Sequence, residues 1–219
     1  MRIGIIGSGF SGRAVARLAV QCGLQAMLSN SRDPSTIATT MVGYRVGTAL
    51  EAMAFGEVIL LTMPFSSHRA LPPGPASGRI LVDAVNYDPR RDGRIEALEQ
   101  RATTSSAMIA AHFAGAHVVK AFNTIVEKEI ERDARPAGAA DRRALPIAGD
   151  VDSAKAIVVT LLNRLGFDAV DAGPLAEGWR FDRGQPAFGV RLGSVGMTQA
   201  LSRADAMPDQ AAPVDGQAA

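Results

Sequence analysis

Six residues near the amino end, Gly7-Ser8-Gly9-Phe10-Ser11-Gly12, follow the spacing G-x-G-x-x-G. That spacing suits the cradling of a pyrophosphate by backbone N–H groups. Gly7 makes the tight turn, Gly9 lets the backbone approach the anion, and Gly12 lets the next helix lie close on its strand. Ser8, Phe10 and Ser11 complete the loop, and the helix that opens here adds free N–H groups and a partial positive charge. The chain holds 22 glycines, so the pattern alone equally describes an ordinary glycine-rich turn. Its context separates the two readings: an apolar run, Arg2–Ile6, precedes it, and a helical pattern, Phe10–Cys22, follows.

The second informative stretch is Leu28-Ser29-Asn30-Ser31-Arg32. In a dinucleotide-binding unit the end of the second strand meets the adenosine ribose. A carboxylate there takes the ribose hydroxyls of NAD, whereas an arginine or hydroxyls receive the 2′-phosphate of NADP. No carboxylate stands at this strand end. Asp33 comes one residue too late and sits before Pro34, as a helix cap does. Asn30, Ser31 and Arg32 are therefore assigned to the 2′-phosphate, with Arg32 supplying a planar donor fork. The alternative for Arg32 is a surface loop arginine.

Other polar residues fall at strand ends. Asn123 and Asn86 each follow an apolar strand at the edge where open α/β sheets bind ligands, and their amides could bond the nicotinamide or a second substrate. Both equally suit a turn. His68, with Met63 and Pro64 before it, lies past another strand end and is read as a candidate for cofactor or substrate contact, against the alternative of a solvated loop histidine. His112 and His117 read as structural. Trp179 and Phe181 suit either a ring stack or a subunit contact, and the contact is the preferred reading. No His, Cys and carboxylate spacing suggests a metal site, and no Ser-His-Asp or Cys-His arrangement is present.

The elements that must hold these residues are short apolar strands alternating with helices. Strands are expected at Arg2–Ile6, Leu24–Ser29, Tyr44–Val46, Glu57–Thr62, Arg79–Val82, His117–Ala121, Ala144–Ala148 and Phe167–Val170. Helices are expected at Phe10–Cys22, Ser35–Thr40, Thr48–Phe55, Ile95–Arg101, Ser106–Phe113, Ser153–Leu165 with Asp152 as its cap, and Val195–Ala204. This alternation predicts an α/β, doubly wound, mostly parallel sheet of Rossmann type with a smaller C-terminal α/β appendage. The expected division is a cofactor-binding unit over 1–123, a substrate or dimerisation region over 124–204 and a frayed tail over 205–219.

Composition limits the function. With 23 Lys and Arg against 22 Asp and Glu the net charge is +1, so no basic field suggests nucleic acid. The single cysteine, Cys22, excludes an intrachain disulfide and fits a reducing, cytoplasmic compartment. No stretch approaches the roughly 20 apolar residues of a membrane span. The run Met1–Ile6 breaks at glycines and reads as a strand rather than a leader.

Together these residues resemble the coenzyme F420-dependent NADP oxidoreductase family. The resemblance rests on the GSGFSG loop, on Ser29-Asn30-Ser31-Arg32, and on Val118-Val119-Lys120-Ala121-Phe122-Asn123-Thr124-Ile125. It also rests on Leu145-Pro146-Ile147-Ala148-Gly149-Asp150 and Asp171-Ala172-Gly173-Pro174-Leu175, and covers roughly residues 1–176. It implies NADP(H) as cofactor, with Ala121 beside the nicotinamide, and hydride transfer to a small-molecule acceptor, coenzyme F420 or a flavin. It also leads us to expect a homodimer. The proline-rich loop Pro72–Pro75 and the segment Gly178–Gly184 depart from the family pattern. Two alternatives therefore stand beside this reading. One is a non-catalytic NADP-binding sensor, with the loop around Pro72–Gly78 covering the nicotinamide face. The other is an imine or carbonyl reductase, with His68 or Tyr87 as proton donor.

Overall fold

A computed structural model describes residues 1–37 and 43–205. Most strands are runs of four to six residues that bury side chains on both faces, so they require helices on either side. The strands are β1 (Arg2–Ile6), β2 (Gln25–Ser29), β3 (Arg45–Val46), β4 (Val58–Leu61), β5 (Ile80–Asp83), β6 (His117–Lys120), β7 (Ala144–Gly149) and β8 (Asp168–Asp171), the two-residue β3 being the short exception. They form one sheet in the order β3-β2-β1-β4-β5-β6-β7-β8. β1 to β6 are mutually parallel, β7 runs antiparallel to β6, and β8 is parallel to β7. The mostly parallel, doubly wound sheet is the expected one, and the C-terminal strands continue it at the β6 edge.

The helices are α1 (Phe10–Gln21), α2 (Ala49–Phe55), α3 (Pro89–Asp92), α4 (Glu96–Glu99), α5 (Ser105–His112), α6 (Glu127–Arg132), α7 (Asp152–Arg164) and α8 (Ser194–Ser202). The central strands split their side chains by alternation. Ile3, Ile5, Val58, Leu60 and Val82 join Ala14, Val15 and Leu18 of α1 and Val158 and Leu162 of α7 in one core. Ile6, Ile59, Leu61 and Leu81 face Met53 of α2 and Ile109 of α5 in another. A third, smaller core gathers Ala144 and Ala148 of β7, Phe181, and Met197 and Leu201 of α8.

Several expected boundaries move. Asp152 lies in the first turn of α7, whose cap is Val151. The helix expected over Ile95–Arg101 contracts to α4, because Arg101 adopts the left-handed backbone (φ 56°) that cannot continue a helix. Asp33 does act as a cap, accepting from the Ser35 N–H at 2.9 Å, but of a single 3-10 turn, Pro34–Thr36. The rest of the helix expected to Thr40, and the tail beyond 205, lie outside the described residues.

The order of the strands fixes where a ligand can lie. The chain winds from β1 outward to β3, then restarts at β4 on the other side of β1. Loops leaving β1 and β4 therefore diverge to opposite faces and open a crevice at the carboxyl edge. Register carries that edge across the sheet, because Ile6 pairs with Leu61, Leu61 with Asp83, and Asp83 with Lys120. Gly7, Thr62, Ala84 and Ala121 thus follow one another along the crevice.

Candidate active site

The glycine loop has the geometry that its spacing predicts. Gly7 has φ 116°, and a Cβ there would lie 2.6 Å from the Thr62 carbonyl oxygen. A Cβ on Gly12 would lie 1.9 Å from the Gly7 carbonyl oxygen, so α1 can approach β1 this closely only with glycine. At Gly9 a Cβ would meet nothing within 4 Å, so the space above its backbone is open. Two side chains brace the loop. Thr62 Oγ1 donates to the carbonyls of Ile6 and Gly7, and Arg13 Nε donates to the Ser8 carbonyl at 2.8 Å. The first turn of α1 contains no acidic residue, and Gly9 as its cap brings no side chain to its N–H groups. Phe10 is 80% exposed beside this opening, and Ser8 and Ser11 are half-buried.

At the end of β2, the Asn30 side chain accepts from the Arg32 N–H at 3.0 Å and donates to Thr36 Oγ1 at 2.8 Å, which holds the turn in shape. The Asp33 carboxylate is occupied by the N–H and hydroxyl of Ser35. Ser31 and Arg32 are exposed, and among the described residues no ion pair involves Arg32.

The other end of the crevice lies beyond β5 and β6. Asn86 and Asn123 form a pair: Asn86 Nδ2 donates to the Asn123 carbonyl at 2.8 Å, and Asn123 Nδ2 donates to Asn86 Oδ1 and, at 2.9 Å, to the Phe181 carbonyl. Asn123 is 3% exposed, yet its Oδ1 has no partner. A buried acceptor left unpaired costs about 1–3 kcal/mol unless something donates to it. The residue before it, Phe122, has φ 65°, an uncommon backbone for a bulky side chain. Beside Asn86 lies an open cleft of about 360 Å³ walled by Tyr87, Leu98, Arg101, Thr104, Trp179 and Asp182, among others. With strands about 4.8 Å apart, the step from β1 to β5 or β6 is ~10–14 Å. An extended dinucleotide with its pyrophosphate at the glycine loop spans such a distance.

The remaining expected residues stand to this cleft in different ways. His68 is 2% exposed, with its Nδ1 2.6 Å from the Phe65 carbonyl and its ring against those of Phe65 and His112. Burial lowers its pKa, so the imidazole stays neutral and packed. It does not line the cleft, and the solvated-loop reading does not hold for it. Tyr87 is tied by its hydroxyl to the Gly93 carbonyl and the Ile95 N–H. Ala121 is fully buried, its methyl in the core rather than at the crevice. Met63 and Pro64 stay accessible after β4 but do not wall the cleft. The Pro72–Gly78 loop packs away from it: the Gly78 N–H bonds the Gly115 carbonyl, before β5 and β6 begin, at the opposite edge of the sheet.

Two features, Thr62 and Lys120, escaped the sequence reading, and Trp179 stands apart from Phe181, with which it was read. Thr62 is a strand-end residue whose role depends on register with Gly7. Trp179 walls the cleft, whereas its neighbour Phe181 fills the small third core. Lys120, one of only three lysines, is fully buried at the end of β6 and ion-paired to Asp182 on the cleft wall. Its strand partner Asp83 is also buried, which pushes that carboxyl up, while Lys120, the Ser106 hydroxyl at 2.6 Å and the Val85 N–H oppose the rise. Only the separation of 62 positions between Lys120 and Asp182 hid that pair from the sequence.

Comparison with known proteins places this geometry. A match to YjhV of Escherichia coli, 36% identical over 59 residues, covers 27% of this chain and 43% of that one, less than half its length. Among solved structures, a hypothetical protein from Sinorhizobium meliloti superposes with TM-score 0.76 at 28% identity, over 88% of this chain and 94% of that one. A proposed F420-dependent NADP reductase from Arthrobacter sp. FB24 superposes with TM-score 0.66 at 25% identity, over 81% and 87%. An imine reductase from Bacillus cereus shares the fold at 15% identity and TM-score 0.59, over 90% of this chain and 57% of its own. Residues 2–87, which hold the glycine loop, the β2 turn and the start of the cleft, match the family described as coenzyme F420-dependent NADP oxidoreductase, the one that the residues resemble.

Proposed function

We propose that this chain binds NADPH along the crevice and transfers its hydride to a small acceptor in the cleft beside Asn86 and Trp179. The observation that carries this reading is the joint arrangement at one sheet edge. The open space over Gly9 lies at one end, and the unpaired Asn123 Oδ1 and the open cleft lie at the other. The residues fit the cofactor. Gly7 to Gly12 hold its pyrophosphate, and Asn30, Ser31 and Arg32 take the 2′-phosphate. Asn123 presents its free oxygen to the carboxamide, while Met63 and Pro64 border the ribose side. NADPH, when bound, supplies the hydride at its nicotinamide ring.

The chain's own work is then positioning and exclusion of water. Asn86 and Phe181 orient the Asn123 amide, and the Lys120–Asp182 pair fastens the segment Leu175–Phe181 over the end of β6. Residues 124–204 so supply one wall of the cleft. The acceptor we favour is a flat ring, coenzyme F420 or a flavin, because Trp179 offers a stacking face and the described wall offers no free proton donor of the His68 or Tyr87 kind. The open cleft also speaks against a sensor whose Pro72–Gly78 loop covers the ring. The test is NADPH oxidation measured with F420, FMN, FAD and ferric chelate in parallel. Turnover with a ring acceptor supports the reading. Tight NADPH binding with no turnover on any acceptor would return the sensor.

A further inference from the structure

The walls of the cleft say something about the acceptor beyond its ring. Two arginines, Arg101 and Arg183, lie on it from opposite sides in sequence, one after α4 and one after the Leu175–Phe181 segment. Both are exposed, and among the described residues neither guanidinium has an ion pair or a side-chain hydrogen bond. The Arg183 guanidinium carbon lies 5.8 Å from the centroid of the Phe188 ring, a cation–π contact that leaves its N–H donors without a hydrogen-bond partner among the described residues. The carboxylates nearby are already engaged. Asp182 is paired to the buried Lys120, and Asp88 is bonded to the Arg90 N–H and lowered chiefly by it, with Arg183 a more distant contributor. The cleft is therefore electropositive at its exposed edge.

The position of Arg101 is set by the end of α4: its N–H bonds the Leu98 carbonyl and the Ala102 N–H bonds the Ala97 carbonyl, a helix cap that requires its φ of 56°. Thr103, Thr104 and Ser105 continue the wall directly after it and add small polar side chains to the same opening.

We propose that the acceptor carries an acidic group, a carboxylate or a phosphate, which Arg101 and Arg183 grip at the exposed edge of the cleft. The reducible part then lies inward, toward Asn86 and Trp179. A planar guanidinium fork is suited to either anion, and two forks from separate segments fix its direction as well as its charge. This rests on the cleft being the acceptor's place, as argued above. It adds that recognition is by charge at the edge, so neutral molecules with the same ring bind poorly.

The test uses Trp179, the only tryptophan, whose fluorescence reports on this pocket and not on the glycine loop. Quenching is titrated with matched pairs: FMN against riboflavin for a phosphate, and phenylpyruvate against its methyl ester for a carboxylate. The wild-type protein is expected to bind at least one anion about tenfold or more tightly than its neutral counterpart. Arg101→Gly keeps the left-handed backbone without strain, so it removes only the fork, and Arg183→Met keeps the stem. In the double variant the preference should fall to within twofold, with melting temperature and NADPH affinity retained. Equal binding within both pairs in the wild type overturns the proposal, and so does a preference that survives in the double variant. If the preference is present and lost as expected while no acceptor oxidises NADPH, the anion grip stands and the hydride-transfer reading fails.

Discussion

At the scale of single residues, the account turns on groups that are present without partners. Gly9 is the cleanest case, because a side chain there would touch nothing in the protein. Gly9→Val should therefore fold with an unchanged melting temperature and lose NADPH binding, since its branches fill the space a pyrophosphate needs. Unchanged NADPH affinity in the folded variant would remove the loop from the site. Arg32 is the matching case for cofactor choice. Arg32→Ala should weaken NADPH by about 1.5–3 kcal/mol, the range for a hydrogen bond to a charged group. NADH should be nearly unaffected. Dissociation constants for both cofactors decide it, and equal losses would mean that Arg32 does not read the 2′-phosphate. The turn at Gly7–Gly12 and the carboxylate-free end of β2 were legible in the sequence because both follow from local spacing. The burial of His68 was not legible, because the His112 ring against it comes from α5, far along the chain.

At the scale of elements, loops after successive strands brace one another at the carboxyl edge. Asp92, at the end of α3, accepts from the Ser66 N–H and hydroxyl in the turn after β4 and from the Asp88 N–H, and pairs with Arg91. Burial alone would raise its pKa, but the hydrogen bonds from Arg91, Asp88 and Ser66 outweigh it and hold the carboxyl at about 2. A carboxyl depressed on folding contributes stability above its unfolded pKa and loses it as pH falls through the folded value. Allowing for solvent around the half-exposed Arg91, we expect Asp92→Asn to cost on the order of 1–2 kcal/mol at pH 7. That difference should be constant down to about pH 4 and shrink toward pH 2. Urea unfolding of both proteins across this range is the check, and a difference that ignores pH would contradict the assignment. The long strands and helices were legible because period and apolarity suffice for them. The short helix α3 was not, since a tertiary bond from Ser66 to Asp92 sets it rather than a repeating face, and α4 was legible except for its end, which the turn at Arg101 sets.

At the scale of the whole molecule, one sheet carries the argument. The crossover between β1 and β4 opens the crevice, and strand spacing sets how far the cofactor reaches. The C-terminal segment, through Asn123–Phe181 and Lys120–Asp182, closes the far end. The doubly wound, mostly parallel sheet could be anticipated from the alternation of elements. The closing wall could not, because it joins residues some sixty positions apart through one backbone carbonyl and one half-buried ion pair. The most direct measurement is a single turnover with NADPH deuterated at either the 4R or the 4S position and F420 as acceptor. Mass spectrometry then reads the label in the reduced product. Direct transfer between rings held face to face predicts deuterium in the product from one labelled form only and none lost to water. Label in the solvent, or transfer from both faces alike, would contradict a site that holds the two rings in one arrangement.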